Sequence, residues 1–144
     1  MARSDFFDVR QCVCAALRRA DRTITQIYDA ILAPSGLHIT QFTLLATLAE
    51  ASPISINRLA NLMVMDRTTL TRDLGLLSKQ GWARIEVGED HRLHVVTLTE
   101  EGQRVLAQAL PLWQQAQSQM LDRLGPQHVE ALLAELSTTT TPSQ

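Results

Sequence analysis

The chain is expected to fold as a mainly α-helical domain with a small β-hairpin wing, a winged helix-turn-helix, and three features of its 144 residues lead there. Apolar residues recur at helical spacings of three and four along most of the length. That period gives way to strict alternation only around residues 83–98. Immediately before the alternating stretch stand two short apolar-striped segments, each behind a capping residue. A helix-turn-helix lays its second helix in the DNA major groove, and a following hairpin can reach the flanking minor groove or backbone.

The first helix is expected from about Asp8 to Ala33, because Val13, Leu17, Ala20, Ile24, Ile27 and Ile31 form one seam before Pro34 and Gly36 stop it. Such a seam asks for another helix. The next helix is expected to start near Thr40, a plausible cap, and it carries Phe42, Leu44, Leu45 and Leu48 on nearly every side, as a central buried helix does. Ser52 and Pro53 punctuate. Ser55 then caps a short helix bearing Ile56, Leu59, Ala60 and Met63, and Asp66 caps the following one after a tight turn at Val64 and Met65.

On a wheel of about 100° per residue, Leu74 and Leu77 of that second short helix fall within about 40° of Leu70, and the stripe faces the core. Thr68, Thr71, Arg72 and Lys79 lie opposite, while Arg67 lies nearer the flank but can swing outward from the first turn. Arginine pairs bidentately with guanine, and threonine touches a thymine methyl or a phosphate, so Arg67, Thr68, Thr71 and Arg72 are the expected base-reading side chains. Arg58 and Ser55 are candidates for phosphate anchoring, which sets register without reading sequence.

Beyond Gly81, Ile85 and Val87 are expected to oppose Leu93 and Val95 across a Gly88, Glu89, Asp90, His91 turn. Asp90 and Arg92 sit two residues apart at the tip, where the carboxylate would hold the guanidinium extended toward a narrow, electronegative minor groove. His91 and His94 have no third ligand nearby and read as solvated or phosphate-contacting, so neither a metal nor a cofactor is expected. Thr99 followed by Glu100 and Glu101 opens a long helix whose seam of Leu106, Leu110, Trp113, Met120 and Leu124 is interrupted by Gln117. After Gly125, Pro126 opens a last helix with Val129, Leu132, Leu133 and Leu136, and residues 137–144 read as a disordered tail. Residues 1–144 thus form a single winged-helix domain, with about 40–98 as the DNA-binding unit and about 8–33 and 99–136 as the helices that seek a partner.

The net charge is −2, but it is unevenly spread: residues 1–57 carry five bases and five acids, 58–92 six and five, 93–144 two and five. Only the middle is positive, which suits a local contact surface on an acidic body. No run approaches the roughly 20 apolar residues that span a bilayer, and the first twenty residues lack a secretory core, so a cytoplasmic protein without a membrane partner is expected. An enzyme finds no support, since there is no nucleophile with a base at sensible spacing, no carboxylate pair in an apolar setting and no phosphate-cradling glycine loop. A winged helix that binds protein and no DNA remains the alternative from another class.

The element order and two motifs resemble the MarR family of bacterial winged-helix regulators over about residues 9–136. One motif is Asp66, Arg67, Thr68, Thr69, Leu70, Thr71, Arg72 at the recognition helix. The other is Asp90, Arg92, Leu98, Thr99 and Gly102 around the wing. The resemblance implies a homodimer built by the N- and C-terminal helices, bound to a near-palindromic double-stranded operator, usually as a repressor released by a small-molecule effector or an oxidant. Arg18, Tyr28, Phe42 and Trp113 are candidate effector-pocket side chains.

One branch of the family senses organic hydroperoxides through a cysteine near the start of the first helix. Cys14 aligns with that cysteine and Tyr28 with one supporting tyrosine, while Arg18 replaces the other. Arg18 stands one helical turn from Cys14, where a cation attracts a thiolate. The other reading of Cys12 and Cys14 is as small buried hydrophobes; two apart in the first helix, their side chains point about 200° apart and cannot bridge each other, so both are expected as reduced thiols.

Overall fold

The computed structural model describes residues 8–90 and 92–140. In chain order they form α1 (Val13–Leu32), α2 (Ile39–Ala51), β1 (Ile54–Ser55), α3 (Ile56–Met63), α4 (Arg67–Lys79), β2 (Ala83–Val87), β3 (His94–Leu98), α5 (Glu100–Leu124) and α6 (Pro126–Thr140). No single described helix is long and apolar enough to cross a membrane.

α1 begins later than its seam suggests. The Asp8 carboxylate accepts the Arg10 amide at 3.0 Å and the Arg10 guanidinium at 2.9 Å, closing a short 3-10 turn over Val9–Gln11. The backbone then extends at Cys12, which is the cap of α1 and not part of it. The premise that Cys12 and Cys14 share a helix therefore fails, and with it the 200° argument. Both thiols are free and exposed, so neither is an interior hydrophobe of this chain.

α2 is capped by His38, two residues before Thr40. Gln41 accepts the His38 amide at 3.0 Å, and the Asp29 carboxylate of α1 accepts the Ile39 amide at 2.7 Å, placing a negative charge at the positive end of α2. As its all-round apolar pattern requires, α2 is central, with Phe42, Leu44, Leu45 and Leu48 buried.

The wing is a three-stranded antiparallel sheet in the order β1-β3-β2, one strand more than a hairpin. β1 joins through Ile54 opposite Val96 and Ser55 opposite Val95, so the residue that caps α3 also ends an edge strand. The expected register is off by one: Ile85 pairs with Val96, Glu86 with Val95 and Val87 with His94. A one-residue slip exchanges the two faces. The fully buried Val96 fixes the choice, placing Ile85 on its face of the sheet and Leu93 outside the strand and exposed.

Leu59, Leu70, Leu74 and Leu77 from the two short helices join Leu45, Leu48 and Val96 in the main core. A smaller cluster ties α1 to α5 through Tyr28, Ala116 and Met120. The polar interruption at Gln117 has its reason here, because Gln117 Oε1 accepts the Tyr28 hydroxyl. α6 runs on through residues 137–140, which had read as tail: the hydroxyls of Thr138, Thr139 and Thr140 donate to carbonyls three residues back and keep the last turn closed. Residues 141–144 of that tail, and His91 of the turn, lie outside the described residues.

Candidate nucleic-acid interface

α3 and α4 are set by side-chain caps at each start and a sharp turn between. Ser55 Oγ accepts the Arg58 amide at 3.2 Å, and Asp66 Oδ2 accepts the Thr69 amide at 3.1 Å. Between them Val64 takes the left-handed conformation (φ 53°, ψ 47°), and the Met65 amide returns to the Ala60 carbonyl at 2.9 Å. Leu70, Leu74 and Leu77 are fully buried, so sterics leave Arg67, Thr68, Thr71 and Arg72 on the outer side, all exposed. Arg58 is exposed on α3.

Asp90 acts on the backbone of the wing tip. Its Oδ1 accepts the amide of Arg92 at 3.2 Å, and its carbonyl accepts the amide of Leu93 at 2.8 Å. The expected grip of the carboxylate on the Arg92 guanidinium gives way to this turn contact, because a carboxylate two residues before an amide closes a local turn readily. Arg92 is thereby projected by the turn itself.

Ser55, Arg67 and Arg92 line one shallow concavity where the start of α3, the start of α4 and the wing converge. Thr68, Thr71 and Arg72 lie on α4 outside that concavity, and Arg72 Nε stands 4.0 Å from Asp73 Oδ1. Among the described residues, Arg58, Arg67 and Arg92 are paired with no carboxylate, whereas Arg84 holds Glu86 at 2.7 Å and Arg104 holds Glu101 at 2.6 Å. Their charge is therefore available to an outside anion. The same concavity brings in His94, expected to be solvated or phosphate-contacting, and Asn57, which was not among the expected DNA contacts. The signal for Asn57 was its place in the first turn behind the Ser55 cap.

A second site lies behind the recognition helix. α1, α2, α4, α5 and the end of α3 border an open cavity of about 440 Å³ walled by Ile24, Tyr28, Ile39, Leu44, Met63, Met65 and Trp113. Its polar edge consists of Asp21, Thr25, Thr40, Thr43, Asp73 and Gln117. Burial pushes the Tyr28 hydroxyl above the usual tyrosine range. Of the four side chains expected at a pocket, Tyr28 and Trp113 line this one. Phe42 instead stacks on Trp113 with ring centroids 5.7 Å apart and belongs to the core, and Arg18 is not in the wall. Cys14 is fourteen residues from Tyr28 on α1, ~21 Å along the axis, so the two do not meet within the chain.

Residues 35–93 match the sequence profile of the MarR family. The transcriptional regulator MosR of M. tuberculosis, solved in complex with DNA, is 35% identical and superposes with a TM-score of 0.81, over 90% of this chain and 96% of MosR. The transcriptional repressor CouR bound to a 23-mer DNA duplex is 25% identical with a TM-score of 0.80, over 90% of this chain and 92% of CouR. An HTH-type transcriptional regulator of Bacillus subtilis, YwoH, is 27% identical over 88 residues, 61% of this chain; the match spans 64% of that relative's length.

Proposed function

Since the chain belongs to the MarR family of winged-helix transcriptional regulators, we propose that it represses transcription as a homodimer bound to a near-palindromic operator and is released by a small-molecule effector. Arg67, Thr68, Thr71 and Arg72 read base edges in the major groove, Arg92 enters the flanking minor groove, and Ser55 and Arg58 anchor phosphates. Asp90 holds the turn that presents Arg92. The observation that carries this reading is the gathering of Ser55, Arg67 and Arg92 in one concavity, with both arginines free of carboxylate partners among the described residues.

Dimerisation is supported by the apolar side chains left bare at both ends of the chain. Val13 is 71% exposed and Leu133 57%, with Leu17, Leu110 and Leu124 also uncovered. These exposed side chains on α1, α5 and α6 are the surface a second copy would cover. A twofold axis through it would put two α4 helices about one DNA turn apart, ~34 Å. The cavity behind α4 is the effector site in this reading, because its lining includes Asp73 of the recognition helix itself.

A titration of duplex DNA at several salt concentrations tests the proposal. Affinity for an operator should fall steeply as salt rises, since each neutralised phosphate releases counterions. A well-folded protein without duplex affinity at low salt would instead be a protein-interaction module.

The exposure of both thiols favours one second reading, release by oxidation. A hydroperoxide would oxidise Cys14 to the sulfenic acid and itself be reduced to the alcohol. Operator affinity unchanged by stoichiometric hydroperoxide, with Cys14→Ser as control, ends that reading.

A further inference from the structure

The cavity behind α4 has a charge pattern that selects its ligand, and the inference drawn from it rests on the effector reading above. Asp21 of α1 and Asp73 of α4 both reach its wall, and none of the side chains lining it is Lys, Arg or His. The remaining polar groups there are neutral. The Thr25 hydroxyl donates to Asp21 at 3.3 Å and the Tyr28 hydroxyl donates to Gln117, so neither supplies a positive charge. Arg72 Nε stands 4.0 Å from Asp73 Oδ1, but the Arg72 side chain is 73% exposed and is not part of the lining.

We propose that the effector is a lipophilic organic cation, a protonated amine on an aromatic or branched apolar body. The apolar body fits the Ile24, Tyr28, Met63, Met65 and Trp113 walls, where methionine adapts to irregular shapes and aromatic faces attract cations. About 440 Å³ accommodates a small drug-sized molecule. An anionic ligand would meet two carboxylates and no cation in the lining, and is disfavoured.

The same geometry couples binding to DNA release. Asp73 belongs to α4, so a cation seated against it acts on the recognition helix directly. Joined to Asp21 as well, it ties the recognition helix to α1. A ligand shifts a conformational equilibrium only through such a difference in contacts between states.

Three probes of one shape and different charge test this: 1-naphthylmethylamine, 1-naphthylmethanol and 1-naphthoate, titrated calorimetrically into the full chain. The amine should bind at least tenfold tighter than the alcohol and the alcohol tighter than the carboxylate, and the amine should lower operator affinity. Asp21→Asn with Asp73→Asn should remove the preference while the alcohol still binds. Equal or tighter binding of the carboxylate, or a preference that survives in the double variant, overturns the cation proposal and leaves the effector site standing. Failure of all three probes to bind a protein that still holds its operator overturns both.

Discussion

Gly102 presses against the Trp82 carbonyl: a Cβ built at Gly102 would stand 2.1 Å from that oxygen and 2.6 Å from Leu98 Cδ1. Thr99 reinforces the junction, donating its hydroxyl to the Gly81 carbonyl at 2.6 Å and accepting the Gly102 amide at 3.0 Å. The start of α5 is thus fastened to the base of the wing by backbone, which cannot yield as a flexible side chain would. Gly102→Ala should destabilise the fold by about 1–3 kcal/mol or more. Urea denaturation measures it, and an unchanged midpoint refutes this account of the junction.

Tyr28 is the single tyrosine of the chain, so its titration can be followed by phenolate absorbance without interference. Burial raises its pKa above the unfolded value. The native state therefore holds this proton more tightly than the unfolded chain. The resulting stability is fully present below the unfolded tyrosine value of about 10 and is lost as pH rises through the higher folded value. Tyr28→Phe should flatten that alkaline slope and, by stranding half-buried Gln117, cost about 1 kcal/mol at neutral pH. An identical slope in the variant excludes Tyr28 as its source.

Val64 is a β-branched residue at φ 53°, a conformation that costs such a side chain about 1–3 kcal/mol. It is 68% exposed, so little packing is lost by changing it. Val64→Asn should raise stability by about 0.5–1 kcal/mol, read as a higher midpoint of thermal unfolding. A fall in midpoint means the valine side chain contributes a contact that outweighs the strain.

On DNA, Arg72→Ala should relax base choice at one position and cost ~1–3 kcal/mol, whereas Arg58→Ala should weaken all sequences alike and reduce the salt slope by about one. Anisotropy titrations on an operator and its single-base variants separate the two. If Arg72→Ala preserved both affinity and preference, the outer face of α4 would not be the reading surface.

The helices that carry the site were legible from local signals. Ser55 and Asp66 announced α3 and α4 because a cap acts within three residues, and Leu70, Leu74 and Leu77 oriented α4 because helical period is a property of the segment alone. Strand pairing is not local in that way. Ile85 opposite Val96 instead of Val95, and the joining of Ile54 to the sheet, depend on which side chains the core of α2, α3 and α4 covers, and that is settled only when distant segments pack. The cavity is further still from the sequence: Asp21 and Asp73 are fifty-two positions apart, and only the packing of α1, α2 and α5 beneath the recognition helix makes them neighbours of one space. Period and caps belong to a stretch of chain; register and cavities belong to the closed surface that several stretches form together.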